Sequence, residues 1–299
     1  MVDDAADSPT QGRTGTKQAA ASEQALLTEA VAQAVLASAK YAAIDPALVA
    51  ALAAQELAKG ARVKDAVKQV KNRLHQSVAA YWDGHTHFAA WRAALEAAPD
   101  AEARRARLLA ILRSHHSTRE RLPFLDDFYR AIFGGLGPIR RVLDLGCGLH
   151  PLALPWMNLP GATAYFACDV DREQMAFLAW WLAYAGQPGE AFVWNLLDGA
   201  PPVADDAPID VALLLKIVPC LAQLDKQIGA RLLDSVTAPV LIVSFPAQSL
   251  GGRRKGMVEH YTARMDALLE GRGWAVERFV FASELVFRLR RNEEVSHES

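Results

Sequence analysis

A short apolar run at residues 141–145 contains a carboxylate near its end and leads into two glycines separated by one residue. The stretch reads RVLDLGCGLHPLALPWM from residue 141 to 157, and its glycines are Gly146 and Gly148. Glycine lets the backbone approach a ligand closely, and it opens the amide groups at the start of the next helix to that ligand. The order of strand, glycine turn and helix therefore predicts a pocket of nucleotide size.

From residue 140 onward, short apolar runs alternate with helical segments, of which 171–185 and 257–271 are the clearest. Continuous apolar strands between helices are typical of a parallel sheet that is covered on both faces, so the predicted fold class is α/β. The last two runs are close together and alternate more in polarity, which favours an antiparallel hairpin at the sheet edge. The predicted strands are 140–145, 162–168, 190–195, 209–215, 239–244, 274–282 and 284–291.

The chain before this sheet divides into two further segments. Residues 1–21 are polar and lack the apolar core of a signal peptide, so we expect a disordered tail. Residues 22–133 have the apolar periodicity of helices, and one helix is predicted to begin with Asp45 as cap and Pro46 at its first position. We therefore expect an N-terminal helical module at 22–133 and a second domain at 134–299.

The composition excludes several classes of protein. Of the 299 residues, 52% are hydrophobic, which is enough to bury a large core, and the net charge is -2. The cysteines at 147, 168 and 220 lie in apolar segments, and an odd number of them favours a reducing compartment. No apolar run reaches the roughly 18 residues of a membrane span. We expect a cytoplasmic protein.

Positive charge is concentrated in two places. The segment from residue 59 to 73 has a single acid, and near the C-terminal end the sequence GGRRKGM groups three further cations. Such patches can bind a phosphate backbone, but a charged helix face or loop is more often simply solvated. The basic residues are Lys59, Arg62, Lys64, Lys68, Lys71 and Arg73 in the first patch, and Arg253, Arg254 and Lys255 in the second.

Carboxylates follow the second and third strands in an order that indicates the ligand. A dinucleotide fingerprint needs a third glycine where this chain has Pro151. Asp169 lies 23 residues after the first glycine, with Asp171 just beyond, and suits two ribose hydroxyls. Leu197 and Asp198 suit the ring and amino group of adenine. The set matches S-adenosylmethionine better than NAD, although Gly and Asp are also common in ordinary strand-end turns.

Four segments resemble one enzyme family. They are RVLDLGCGLHPLALPWM, HHSTRERLPFLDDFY, LLLKIVPCLAQLDKQ and SFPAQSLGGRRKGM, and together they are similar to the aminoglycoside-resistance 16S rRNA (guanine(1405)-N(7))-methyltransferases of the Arm, Rmt and Sgm type. The resemblance implies a Rossmann-like class I methyltransferase sheet and a monomer that uses S-adenosylmethionine. It implies methylation in the 30S subunit and resistance to kanamycin and gentamicin. Ala222 departs from the acidic residue expected in several relatives.

The resemblance also implies roles for particular residues. His116 or Arg119 is favoured for the cofactor, over their neighbour Arg121. Lys216 and Arg253 are implied at the site of methyl transfer, and the helical module is implied to dock on the ribosomal subunit. The implied RNA-binding residues are Lys64, Lys68, Lys71, Arg73, Arg253, Arg254 and Lys255.

The chemistry of this reaction asks little of the protein in proton transfer. Guanine N-7 has an in-plane lone pair and no hydrogen, so its methylation requires no general base, only alignment and exclusion of water. Three alternatives remain open on the sequence alone. They are a methyltransferase acting on N-1 of adenine 1408, a non-catalytic RNA-binding factor that keeps the fold, and an NAD-dependent oxidoreductase. His115, His116 and Cys147 do not have the spacing of zinc ligands.

Overall fold

The computed structural model describes residues 11–77, 87–203, 207–248 and 256–292, with the side chains of 11–20 left out. Within these ranges, every helix falls short of the length and apolarity that spanning a bilayer requires. The chain divides into two compact units, Met1–His75 and Gln76–Ser299. This division lies earlier in the chain than the domain boundary expected after residue 133.

The first unit is helical. Its helices are α1 (Gln11–Leu36), α2 (Pro46–Ala58) and α3 (Val63–Ser77, which runs across the division). Helix α1 begins inside the segment 1–21, for which we expected disorder. The predicted cap of α2 is confirmed, because the Asp45 carboxylate accepts a hydrogen bond from the Ala47 amide. Val35 and Leu52 are among the fully buried side chains of this unit.

The second unit contains a seven-stranded sheet with the order β3-β2-β1-β4-β5-β7-β6. Strands β1 to β5 are parallel, while β7 pairs antiparallel with both β5 and β6. The predicted edge hairpin is therefore confirmed. The strands are β1 Arg141–Leu145, β2 Ala164–Asp169, β3 Gly189–Val193, β4 Val211–Leu215, β5 Val240–Pro246, β6 Trp274–Val280 and β7 Glu284–Arg291.

Helices cover both faces of this sheet, as the continuous apolar strands predicted. Successive residues of a strand enter different cores. Val142 of β1 and Leu213 of β4 face one core, and the residues that follow them, Leu143 and Leu214, face the other. Each such side chain stabilises the fold by roughly 1.5–3 kcal/mol. The helices of the first face are α4 Phe88–Glu96, α5 Ala101–Leu112, α7 Leu125–Phe133, α8 Leu154–Met157 and α9 Arg172–Ala185, and those of the second are α10 Ile217–Leu221, α11 Ile228–Ser235 and α12 Met257–Leu269.

Candidate active site

The glycine turn after β1 is shaped by backbone conformation and by close neighbours. Gly146 and Gly148 both have left-handed backbones, with φ of 64° and 52°. A methyl group on Gly146 would lie 2.5 Å from Cγ1 of Ile217, and one on Gly148 would lie 2.9 Å from Cε1 of His115. Only glycine fits both requirements, so the turn forms a narrow cradle at the carboxyl end of β1.

Asp169, at the end of β2, holds this turn through backbone amides. Its Oδ2 accepts from the Gly148 amide at 2.9 Å, and its Oδ1 accepts from the Val170 amide at 2.7 Å. Burial raises the pKa of this carboxyl, and the two amide hydrogen bonds partly oppose that effect. Each oxygen has a second lone pair, so the carboxylate can also accept two hydroxyl donors. That capacity fits a ribose diol.

Asp171 is differently engaged. It caps α9, and its Oδ1 accepts from the Gln174 amide at 2.9 Å. Burial raises the pKa of this carboxyl as well. A helix cap is a sufficient structural reason for an acid at this position, so a cofactor role for Asp171 stays a prediction.

Leu197 and Asp198 lie in a 3-10 turn after β3, Leu196–Asp198. Asn195 supports the turn, because its Oδ1 accepts from the Leu197 amide and its Nδ2 donates to Asp198 Oδ2, both at 3.1 Å. Leu197 is half-buried and Asp198 is exposed. Asn195 was not among the predicted site residues, but its side chain orients both candidate residues.

His116 and Arg119 lie on a four-residue helix, α6 (His116–Arg119). Arg119 Nη2 lies 2.9 Å from His116 Nδ1, and His116 Nε2 lies 3.1 Å from Glu120 Oε1. Arginine can only donate, so Nδ1 is the acceptor and the ring proton is on Nε2, facing Glu120. The structure thus brings the two predicted residues together, and His116 also pairs with Glu120, a carboxylate that was not among the predicted site residues.

Lys216 follows β4 in a left-handed backbone with φ of 59°, a conformation that is costly for a lysine and typical of functional sites. Its amide donates to Ser244 Oγ at 3.0 Å. Its buried ammonium lies 2.7 Å from Glu120 Oε2 and 3.5 Å from Glu284 Oε2. Lys216 therefore pairs with two carboxylates at the end of the sheet where the glycine turn lies.

Arg121 and Glu284 form a buried ion pair beside Lys216. Arg121 donates to both oxygens of Glu284, at 3.0 and 2.7 Å, and Ser244 Oγ donates to Glu284 Oε1 at 2.6 Å. Burial alone would raise the pKa of Glu284, but Arg121 and Lys216 outweigh it and lower that pKa to about 2. Arg121 was a candidate for the cofactor or the RNA, less favoured than His116 and Arg119, and Glu284, which is 163 residues away, was not among the predicted site residues.

His115 lies behind the glycine turn, against Gly148. Burial is the main reason that its pKa is lowered to about 3, with the positive charges of Lys216 and Arg121 adding to the effect. The ring is therefore neutral at physiological pH, and Ser117 Oγ lies 3.0 Å from its Nδ1.

The predicted RNA-binding residues fall into three groups. Lys64 and Lys68 are exposed on α3, and Lys71 is half-buried there. Arg73 instead pairs with Glu56 at 2.8 Å, and only 15% of its side chain is exposed. Arg253, Arg254 and Lys255 lie outside the described residues.

Comparison with known proteins agrees with this arrangement. The family model "Ribosomal RNA methyltransferase (FmrO)" matches residues 37–288. A 16S rRNA (guanine(1405)-N(7))-methyltransferase of Frankia casuarinae is 36% identical over 284 residues, covering 93% of this chain and 99% of the relative. One of Micromonospora echinospora is 37% identical over 266 residues, covering 87% and 96%.

Solved structures give the same result. The 16S rRNA methyltransferase RmtF in complex with S-adenosyl-L-homocysteine superposes with a TM-score of 0.76 and 31% identity, covering 89% of this chain and 98% of its own. The 16S rRNA methylase RmtB superposes with a TM-score of 0.71 and 27% identity, covering 89% and 98%. The fold is that of an S-adenosylmethionine-dependent methyltransferase, and the chain belongs to the FmrO family of ribosomal RNA methyltransferases.

Proposed function

We propose that this chain methylates N-7 of guanine 1405 in 16S rRNA with S-adenosylmethionine as donor, and thereby confers resistance to aminoglycosides such as kanamycin and gentamicin. The observation that carries the proposal is the match, over nearly the whole chain, to relatives of that named activity. The glycine cradle and the spare acceptor capacity of Asp169 support the choice of cofactor.

The local chemistry is consistent with transfer to a ring nitrogen. When bound, S-adenosylmethionine would supply an electrophilic methyl group and leave as S-adenosylhomocysteine, and N-7 of guanine would accept the methyl group on a lone pair that carries no proton. The protein must then align the base and exclude water rather than remove a proton. In keeping with this, the carboxylates Glu120 and Glu284 are both engaged by cations instead of being free to act as bases.

We further infer that the substrate is the decoding region of the 30S subunit, that the enzyme is a cytoplasmic monomer, and that the helical segment before the sheet docks on the subunit. The exposed lysines of α3 support the docking role, since RNA helices are recognised mainly through phosphates and shape. Arg253, Arg254 and Lys255 are proposed to handle RNA on the basis of the family resemblance alone.

The direct test is methyl transfer from labelled S-adenosylmethionine to purified 30S subunits, followed by borohydride and aniline treatment. We expect strand cleavage at guanine 1405, because N-7 methylation labilises the base. Label incorporated without cleavage would point to another atom, such as N-1 of adenine 1408. No incorporation into 30S subunits, with the cofactor still bound, would contradict the proposed activity.

Replacing Lys216 with methionine is expected to lower the rate of methyl transfer about tenfold or more while changing cofactor affinity less than about threefold. The reason is that the ammonium balances Glu120 and Glu284 at the end of β4, whereas the glycine turn and Asp169 are left intact. Single-turnover methylation and calorimetry with S-adenosylhomocysteine measure the two quantities. Lys226→Met, an exposed lysine of the same unit, is the control. Wild-type methylation by K216M would remove Lys216 from the site.

Replacing Lys64 and Lys68 together with glutamate is expected to weaken 30S binding. The slope of log affinity against log salt concentration is negative, and its magnitude is expected to fall by about two to four. Each lysine that faces a phosphate releases a counterion on binding, and each glutamate adds repulsion. Filter binding of labelled 30S subunits between low and physiological salt gives the slope. Lys226→Glu is again the matched control. An unchanged slope would place docking elsewhere.

A further inference from the structure

A buried polar network lies on one face of the sheet and includes the residues on either side of the glycine turn. Asp144 precedes Gly146 by two residues, and His150 follows Gly148 by two. Tyr129 of α7 and Tyr165 of β2 complete the network, and all four polar side chains are at most 2% exposed. The two residues that flank the turn are thus tied together inside the core, where hydrogen bonds are strong and geometry is fixed.

The contacts in this network are short. His150 Nδ1 lies 2.7 Å from Asp144 Oδ2, and the Tyr165 hydroxyl donates to the same oxygen at 2.7 Å. The Tyr129 hydroxyl lies 2.7 Å from His150 Nε2. The network therefore runs from Tyr129 of α7 to the carboxylate that stands before the glycine turn.

The direction of the protons follows from the chemistry of these groups. A carboxylate only accepts hydrogen bonds, so His150 Nδ1 carries the ring proton and donates it to Asp144. With that proton on Nδ1, His150 Nε2 accepts from the Tyr129 hydroxyl. Burial raises the pKa of Tyr129, so its hydroxyl keeps that proton. In this arrangement Asp144 Oδ2 accepts two hydrogen bonds and is held from both sides.

The second oxygen of Asp144 differs from the first. Asp144 Oδ1 is buried and has no hydrogen-bond partner among the described residues. Buried carboxylate oxygens are normally satisfied, and an exception calls for a functional or ligand-based reason. Because Asp144 adjoins the cradle of Gly146 and Gly148, any change in how Oδ2 is held is passed to the turn that receives the cofactor.

We infer that His150 is a positioning residue for cofactor binding. Together with Tyr165, His150 holds Asp144 Oδ2 by a hydrogen bond and thereby fixes the glycine turn that follows Asp144. The inference rests on the proposed function, since it concerns the same cofactor site. His150 does not touch the substrate in this role. Its effect is on affinity for the cofactor, through the orientation of Asp144 and of the turn that follows it.

The test is calorimetric titration of the full chain with S-adenosylhomocysteine. His150→Phe and Tyr165→Phe each remove one donor to Asp144 and are expected to weaken affinity roughly fivefold to tenfold. His150→Asn is expected to stay within about threefold of wild type, because an asparagine amide can replace the Nδ1 donor. Tyr165→Phe keeps its ring in place and remains informative where His150→Phe folds poorly.

Trp181→Phe is the matched control for general loosening. Trp181 is buried and donates from Nε1 to the Pro151 carbonyl at 3.0 Å, so its loss disturbs the same chain segment without touching Asp144. The inference is supported if H150F and Y165F bind S-adenosylhomocysteine more weakly than wild type while W181F binds it with wild-type affinity. The midpoint of unfolding of each variant is measured alongside, so that a loss of affinity can be compared with the loss of stability. The inference is overturned if H150F and Y165F bind S-adenosylhomocysteine as tightly as wild type. It is also overturned if W181F, destabilised to the same extent, loses as much affinity as they do. A wild-type chain that does not bind S-adenosylhomocysteine would overturn the proposed function and the inference together.

Discussion

Asp169→Asn is expected to weaken binding of S-adenosylmethionine about 100-fold and to abolish methylation at ordinary cofactor concentrations. Both carboxylate oxygens of Asp169 accept from backbone amides, those of Gly148 and Val170. An asparagine side chain has one oxygen and one NH2 group in place of the two oxygens. Whichever way it is turned, its NH2 group points at one of the two backbone N–H donors. The substitution removes one support of the glycine turn as well as the charged acceptor proposed for the ribose.

Titration calorimetry with S-adenosylhomocysteine measures this loss without requiring turnover. Asp171→Asn is the control, because asparagine is as good a helix cap as aspartate and leaves Asp169 unchanged. A D169N protein that binds with wild-type affinity would remove Asp169 from the cofactor site. A loss in D171N as large as that in D169N would assign Asp171 a direct role that its contacts do not suggest.

Glu284→Gln is expected to lower the free energy of unfolding at pH 7 by about 3–5 kcal/mol. The substitution leaves Arg121 and Lys216 buried without the carboxylate that both face. A glutamine amide would also direct N–H groups at the donors of Arg121 or at the Ser244 hydroxyl. Urea unfolding followed by circular dichroism measures the difference.

The same variant should respond to acid in a defined direction. The pKa of Glu284 is lowered from 4.5 to about 2 in the fold, so its carboxylate stabilises the native state fully above about pH 4.5. That contribution declines as the pH falls from 4.5 toward 2. The stability difference between wild type and E284Q should therefore shrink over this range, and a constant difference would contradict the assignment.

Glu277→Gln is the control for this experiment. Glu277 lies on the adjacent strand β6, pairs with Arg288 and Arg290 of β7, and has a side chain that is 46% exposed. Arg288 is buried, but it also donates to the backbone carbonyls of Ala131 and Gly134 and so keeps partners when Glu277 is neutral. Ion pairs of an exposed carboxylate contribute about 0–1 kcal/mol, so a small effect is expected. A loss in E277Q equal to that in E284Q would show that burial is not what distinguishes the two glutamates.

The sheet could be predicted closely because its strands are buried on both faces. Continuous apolar runs such as VALLL leave few alternatives, and a glycine turn follows β1. The division between units was harder to predict. The helices from residue 88 to 133 have the same periodicity as those before them, and only their contacts assign them to the sheet.

The candidate site was predictable where it depends on strand order, and not where it depends on long-range pairing. Asp169 follows a strand directly, so its place beside the glycine turn could be inferred. Glu284 reads as the first residue of the second strand of an edge hairpin, and nothing near it in sequence indicates that it meets Arg121. Arg73 looked like its lysine neighbours, but a glutamate on α2 holds it, which helical periodicity alone does not reveal.

The position of β7 has a consequence for the synthesis of the protein. This strand is the last one in the described part of the chain, yet it lies between β5 and β6 in the sheet, and it carries Glu284. Translation proceeds from the N-terminus, so Arg121 and Lys216 leave the ribosome long before the carboxylate that neutralises them. The nascent chain therefore lacks the carboxylate of this ion pair until β7 has been synthesised. Chains that terminate before Glu284 cannot form the pair at all.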